Sequence, residues 1–330
     1  MNEPQPQTWR ELLATLIADP QERQNIAEVA RISPITLIRW STNKSTPRMD
    51  NLRPLLDALP EYRQQLTELI VREFPHFFKE VPEEETAMEI PSAFYARVLS
   101  AHTNSPPILR ASTICILILQ QIVVHLDPRQ LGLAAIVVQC MPPVQGKKVR
   151  SLRLIQGRGT PPWAGQIENR TQFFGAESQT GMALQSGRII AVQSQEVKSR
   201  LFPAHYSNLE KSTAVFPIIQ SDRVAGCLCL ASNLPNFFSQ VRLDLAKNYA
   251  DLLVLAFEHS EFFDLQYVEL GIMPSSPIQQ EHIANFQQRV TQHMIRAGRN
   301  NQSLTRPKAE LRVWQELEEE LLQISLDIKI

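Results

Sequence analysis

The sequence predicts an α+β protein: an all-α N-terminal domain, a central antiparallel sheet flanked by helices, and a helical C-terminal tail. Three observations carry this. Residues 9–74 hold short apolar runs separated by turn and helix-start signals, with no strand-like alternation. Between about residues 131 and 231 the pattern shifts to β-branched runs bounded by glycine and proline. From Lys308 onward, Trp314, Leu317, Leu321, Ile324 and Ile328 step by three and four. A chain of 330 residues suits two or three domains. The expected divisions are 1–80, an acidic proline-marked linker at 81–91, 92–264, and a C-terminal extension at 265–330.

The stretch Arg23–Pro60 is the most informative. A short helix-forming run, Asn25–Ala30, ends at a turn, Arg31-Ile32. A second helix opens with Ser33 as N-cap and Pro34 at its first position, running to about Ser41. Its apolar side is expected to be Leu37 with Trp40, which leaves Pro34, Ile35, Thr36, Ile38 and Arg39 nearer the outer face. Arg39 suits a guanine, and Ile35 or Thr36 a thymine methyl. Lys44, Ser45, Thr46 and Arg48 follow in a loop placed to hold phosphates. Between Arg31 and Arg53 stand five basic residues and one acid, Asp50. The DNA contacts expected are therefore Ser33, Pro34, Ile35, Thr36, Ile38, Arg39, Lys44, Thr46 and Arg48. The plainer alternative is a helical bundle with a solvated basic loop.

This segment resembles the Cro/repressor-type helix-turn-helix family, also called the xenobiotic-response-element family. The residues are Ile26-Ala27 and Ala30, Ile32-Ser33-Pro34 at the turn, Leu37-Ile38-Arg39-Trp40, then Thr46-Pro47-Arg48, Asn51-Leu52, Leu55, Leu56 and Leu59. The resemblance covers roughly Trp9–Phe74 and implies binding to double-stranded operator DNA. Arg31 stands where the family usually has a turn glycine, and Asn43 where a second glycine is common. Asn tolerates the left-handed conformation, whereas Arg31 carries a small strain there.

An apolar fraction of 43% suffices for buried cores. The formal net charge of -1 supplies no global field toward nucleic acid, so DNA affinity must come from the local basic cluster and weaken with salt. Four cysteines in this length are no disulfide framework. The first residues lack the pattern of a signal peptide, and Ile114–Val124, interrupted by Gln120-Gln121, reads as too short to span a bilayer. A cytoplasmic protein is expected, with no membrane partner.

In the central region Ala111–Leu126 is apolar nearly all round, and Leu131–Cys140 reads as a buried strand with Val149–Ile155 as its antiparallel neighbour. An insert, Gln156–Ser212, contains a short helix at Gln179–Ser186 and a short strand at Ile189–Val192. Ala214–Gln220 and Val224–Ala231 form a hairpin about Ser221-Asp222, followed by a helix over about Ser239–Phe263. This order resembles a GAF domain, a small-molecule sensory fold. Glu177-Ser178, Gly181, Ala183, Ser186-Gly187-Arg188-Ile189, Ser212-Thr213-Ala214, Phe216-Pro217-Ile218, Val224-Ala225-Gly226, the strand Cys227–Ala231 and the helical pattern Leu243–Ala256 carry the resemblance, over roughly Ser92–Phe263.

The resemblance implies a ligand between sheet and insert, near Phe173, Phe174, Thr180, His205, Tyr206 and Val215. His205 reads as a surface or hydrogen-bonding residue, with a ligand donor or haem ligand as the alternative. The insert has no cysteine, which argues against bilin attachment or methionine sulfoxide reduction. Cys227 and Cys229 share a strand face and read as core, with a redox role as the alternative. No metal set, phosphate loop or nucleophile motif stands out, so neither an enzyme nor a cofactor is expected. Glu316, Glu318, Glu319 and Glu320 are expected to solvate the outer face of a final helix, Lys308–Ile328, that docks on the sensory domain. A helix apolar all round and the stripe Leu243–Phe257 both want further cover, which makes a homodimer the expected assembly. Together these readings describe a DNA-binding one-component transcription regulator with a small-molecule effector and a palindromic operator. The competing reading is a signalling adaptor whose helix-turn-helix serves protein contacts.

Overall fold

The computed structural model describes residues 7–47, 49–74, 88–144, 146–163, 167, 171–205 and 207–327. The chain divides into two compact units, Met1–Thr86 and Ala87–Ile330.

Among its described residues the first unit holds five helices: α1 (Trp9–Leu16), α2 (Pro20–Ala30), α3 (Pro34–Ser41), α4 (Met49–Ala58) and α5 (Arg63–Glu73). The helix before the turn is longer than the sequence led us to expect. Asp19 caps it by accepting from the backbone N–H groups of Gln21 and Glu22, and Pro20 takes the first position, so it starts well before Asn25. At its far end Arg31 adopts a left-handed φ of 55°. The Ile32 N–H bonds back to Ala27 O and the Arg31 N–H to Glu28 O, the double closure that stops a helix on a left-handed residue. Asn43 repeats the device after α3, with Lys44 N bonded to Arg39 O at 2.8 Å and Asn43 N to Trp40 O at 3.1 Å. Trp9, Leu13, Leu37, Trp40, Leu52, Leu55, Leu66 and Ile70 fill the core.

One polar group is built into that core. Arg10 is only 8% exposed. Its guanidinium contacts both carboxylate oxygens of Glu73, at 2.7 and 3.2 Å. Nη1 donates to Trp40 O at 2.7 Å and to Ser45 O at 3.3 Å. Arg10 thus ties α1 and α5 to the last turn of α3 and to the loop that follows it, as a second donor to Trp40 O and a donor to Ser45 O.

The second unit begins with α6 (Ser92–Asn104) and α7 (Pro107–Leu126). Ile90, inside the stretch expected to be linker, is already buried in its core. The strands β1 (Leu133–Cys140), β2 (Leu152–Gly159), β3 (Phe173–Phe174), β4 (Ile190–Val192), β5 (Ser212–Gln220), β6 (Arg223–Ser232) and β7 (Phe263–Asp264) make one antiparallel sheet. Its order is β3-β2-β1-β6-β5-β4, with β7 pairing the start of β6. The β5–β6 turn has positive φ at both Ser221 and Asp222, the geometry that matches strand twist. Between β3 and β5 lie α8 (Gln179–Ser186) and α9 (Gln195–Leu201); α10 (Gln240–Leu253) follows β6.

The sheet is covered on both faces. Leu133, Ala135, Val137, Ala214, Phe216, Leu228 and Leu230 point to α6, α7 and α10. Val138, Cys140, Leu152, Leu154, Val215 and Cys227 point to α8 and its flanking segments. Helix α7 is 20 residues long, so the apolar run is longer than its most hydrophobic stretch indicates; by length and composition alone it suffices to cross a membrane. Here Ile114, Cys115, Ile118, Leu119, Ile122 and Leu126 are buried in the core. The helix after β6 is shorter than expected. It stops at Leu253, and Phe257 and Phe262 turn inward so that Phe263 pairs with Val224 in the sheet.

The C-terminal segment packs on the same unit through α11 (Ser276–Ile283), α12 (Phe286–Arg299) and α13 (Arg306–Asp327). Phe173, Met141, Phe286, Val290, Val313, Leu317 and Leu321 form its own core, and Trp314 stacks on Phe286 at 3.9 Å. Gln279, fully buried, caps the short edge strand β3: it accepts from Phe173 N at 2.7 Å and donates to Phe173 O at 3.0 Å. Of the four acids of α13 expected on its solvated face, Glu319 is exposed and Glu316 and Glu320 are part-exposed, whereas Glu318 is not. Glu318 is buried and accepts from Ser151 Oγ at 2.5 Å, and burial raises its carboxyl above the ordinary range. Glu316 and Glu320 meet Arg289 of α12, and Glu319 meets Lys147 and Arg150. The helix lies between two basic surfaces, so its polar side is an ionic seam. Ile328, expected on its apolar stripe, lies outside the described residues.

Gly226 sits opposite Gln139 where β1 crosses β6, and a Cβ there would come within 2.0 Å of Val138 O. The substitution Gly226→Ala is expected to lower unfolding free energy by about 1–3 kcal/mol in urea denaturation, since the two central strands must separate. A change under about 0.5 kcal/mol would contradict that packing.

Candidate functional site

Two regions bring together residues with chemistry to offer. The first is the outer side of α3. Ser33 caps the helix: its Oγ accepts from Thr36 N at 3.2 Å and lies 2.7 Å from Thr36 Oγ1. Leu37 and Trp40 are buried, while Ile35 is 65% and Ile38 39% exposed. Pro34 and Thr36 are half-buried at the flanks; Arg39, Lys44 and Thr46 are exposed. No acid stands between Ser33 and Pro47. Arg48 lies outside the described residues.

The second is the insert-covered face of the sheet. The α8 entry is built by Glu177 and Ser178. Ser178 Oγ donates to Gly175 O at 2.7 Å and accepts from Gly181 N at 2.9 Å. Glu177 accepts from Gly175 N at 2.9 Å and from Met273 N at 2.8 Å, which joins the C-terminal segment to the insert. At Gly181 a Cβ would lie 2.0 Å from Gly175 O, so the turn closes only on glycine. Thr180 is buried with its hydroxyl 3.4 Å from Cys229 Sγ, and Phe174 and Val215 join the apolar floor.

Phe173 is not on this face. Successive side chains of a strand point to opposite sides. Phe174 therefore faces α8, and Phe173 faces α13, with its ring 5.9 Å from Trp314. The pair cannot both line one site. His205 contributes backbone to a 3-10 turn, Pro203–His205; its side chain, like Tyr206, lies outside the described residues.

The polar centre of this region was not legible in the sequence. Lys198 of α9 is 8% exposed and its ammonium contacts the Glu210 carboxylate. Burial pulls Lys198 down to about 8, while the nearby Cys229 sulfur opposes that shift. Burial pushes the Cys229 thiol up to about 12, with Thr180 and Lys198 pulling the other way, so sulfur is held protonated at neutral pH. Around the pair, Lys211 donates to Gln195 at 2.7 Å, and Thr213 donates to Gln179 at 2.7 Å. No local signal marks Lys198: its apolar neighbours Val197 and Leu201 are the exposed ones, the reverse of the usual pattern. Among the described residues no group of three or more His, Cys, Asp or Glu is placed to hold a metal ion.

A curled antiparallel sheet with helices on one face and a helical insert on the other is a GAF-like architecture. Residues 115–257 match the family model of the GAF domain, and the chain carries a GAF domain there. Solved structures with a similar chain trace include the GAF domain of an Acinetobacter phosphoenolpyruvate-protein phosphotransferase, 14% identical over 50% of this chain and 90% of that one, at a TM-score of 0.35. The type II free methionine-R-sulfoxide reductase of Thermoplasma acidophilum is 14% identical over 48% and 98%, at a TM-score of 0.35. The GAF-B domain of DevS from Mycobacterium smegmatis is 16% identical over 44% and 91%, at a TM-score of 0.31. No curated protein matches the chain. Likenesses at these identities and scores say nothing of ligand or activity.

The Lys198–Glu210 pair generates a direct test. Glu210→Gln leaves a buried ammonium without its counter-ion and is expected to destabilise the unit by about 1–3 kcal/mol, the partial exposure of Glu210 tempering the cost. The double variant with Lys198→Met should recover most of the loss. Equal stability of Glu210→Gln and the parent in urea would show that the pair is only a surface contact.

Proposed function

We propose that the protein is a one-component transcription regulator whose N-terminal unit binds operator DNA through α3 and whose GAF domain takes up a small molecule. The observation that carries the DNA half is the two-sidedness of α3. Its inner residues Leu37 and Trp40 are fixed in a core, and its outer side offers Arg39, Ile35 and Ile38 with no acid among them. Lys44 and Thr46 follow in an exposed loop, where phosphates would lie. The sensory half rests on the GAF match and on the buried Lys198–Glu210 pair, since ionic groups out of water on a ligand-facing surface are candidate anchors.

Regulation follows from differential affinity: a ligand that favours one arrangement of a two-fold dimer sets whether two α3 helices meet half-sites on one palindrome. Support for a dimer comes from the outer sides of α6 and α7, where Tyr95, Leu99, Ile108, Leu109 and Val124 are exposed. A second reading has one specific observation in its favour. Exposed isoleucines on α3 also suit docking to a protein, and the chain would then be a signalling adaptor that binds no DNA.

In gel-shift titrations at several stated salt concentrations, Arg39→Ala is expected to lower specific affinity by about 1–3 kcal/mol. Lys44→Ala should weaken binding to all sequences alike and flatten the salt slope by about one. Unchanged binding by folded Arg39→Ala would overturn the docking through α3, and failure to shift any fragment would favour the adaptor. Light scattering at micromolar protein should report a dimer; a strict monomer with and without DNA would exclude the two-fold arrangement.

A further inference from the structure

We infer that α3 reads thymine: the site it selects carries thymine methyl groups in the major groove, contacted by Ile35 and Ile38. This inference rests on the DNA-binding reading above and adds to it the chemistry of specificity.

The argument is one of elimination over the outer side of the helix. At 100° per residue, Ile35, Ile38, Arg39 and Thr42 centre on the direction opposite Leu37 and Trp40. The hydroxyls along the helix are engaged at home. Ser33 and Thr36 bond to each other at 2.7 Å and cap the helix, and Thr42 Oγ1 donates to Ile38 O at 2.7 Å. Arg39 has an exposed guanidinium with no hydrogen bond or ion pair shown among the described residues. The rest of the reading surface is branched hydrocarbon, 65% exposed at Ile35 and 39% at Ile38.

Hydrocarbon accepts no hydrogen bond from cytosine N4 or adenine N6. In the major groove its favourable partner is the C5 methyl of thymine, the one apolar group that the groove displays. The flanking charges fit the same partner: Arg31 and Lys44 are exposed at the two ends of the helix, where duplex phosphates would pass. A protein groove would supply apolar contact too, but it would not call for a basic rim with no acid between Ser33 and Pro47.

The full chain would be used to select duplexes from a random library. Thymine at one or two fixed positions beside the base read by Arg39 is the expected consensus. Replacing those thymines by deoxyuridine removes only the methyl and leaves pairing edges and phosphates unchanged. The expected loss is about fourfold in affinity per contacted methyl, the value of one buried CH₂ group, with the salt slope unaltered. Ile35→Ala with Ile38→Ala, both exposed positions that the fold tolerates, should bind the thymine duplex as weakly as the parent binds the deoxyuridine one. The two losses should not add. Equal parent affinity for thymine and deoxyuridine duplexes overturns the inference while leaving DNA binding intact. Failure to enrich any sequence removes DNA binding itself, and the inference falls with it in favour of a protein partner for this face.

Discussion

The central sheet of the larger unit has no solvated face, and this determines what everything around it can be. With α6, α7 and α10 on one side and α8 with its flanking segments on the other, each of the middle strands serves two cores at once. Residues one apart along β1 or β6 therefore belong to different layers. That period forbids slippage, because a shift by one residue would carry Val137 into the insert layer and Val138 into the helical layer. At Gly226 the paired strands β1 and β6 approach so closely that only a residue without a Cβ fits. The same period separates Phe173 from Phe174 and gives the C-terminal helices an aromatic anchor.

Charge enters these cores only in company. Arg10 is held by Glu73, the Trp40 carbonyl and a loop carbonyl, Lys198 by Glu210 twelve residues on, and Glu318 by the Ser151 hydroxyl. A desolvated ion needs such a partner when its compensation cannot come from water. They do different work. Arg10 holds the last turn of α3 and its following loop against α1 and α5. Glu318 and its neighbours seat α13. Lys198 lies on the insert-covered side of the sheet, near Cys229.

The C-terminal segment is bound closely to the sensory domain. Gln279 completes the edge of β3, and Glu177 holds Met273 to the entry of α8. A change in the insert is thus mechanically connected to α11 through one carboxylate and a few backbone groups.

The sequence by itself was sufficient wherever local chemistry decides. Ser33 with Pro34 started a helix, Asn43 took a left-handed cap, Ser221-Asp222 turned a hairpin, and Leu37 with Trp40 showed which side of α3 is inward. These depend on dihedral preferences and on periodicities of 3.6 and two, which act over a handful of residues. Only the tertiary structure decided the rest. The burial of Lys198 between exposed Val197 and Leu201, the seating of Glu318, the packing of Phe173 against Trp314, and the end of α10 at Leu253 all depend on packing partners that the neighbouring residues do not reveal. A lysine reads as solvated until its carboxylate is seen beside it, because the energy that permits its burial belongs to the pair and not to either residue.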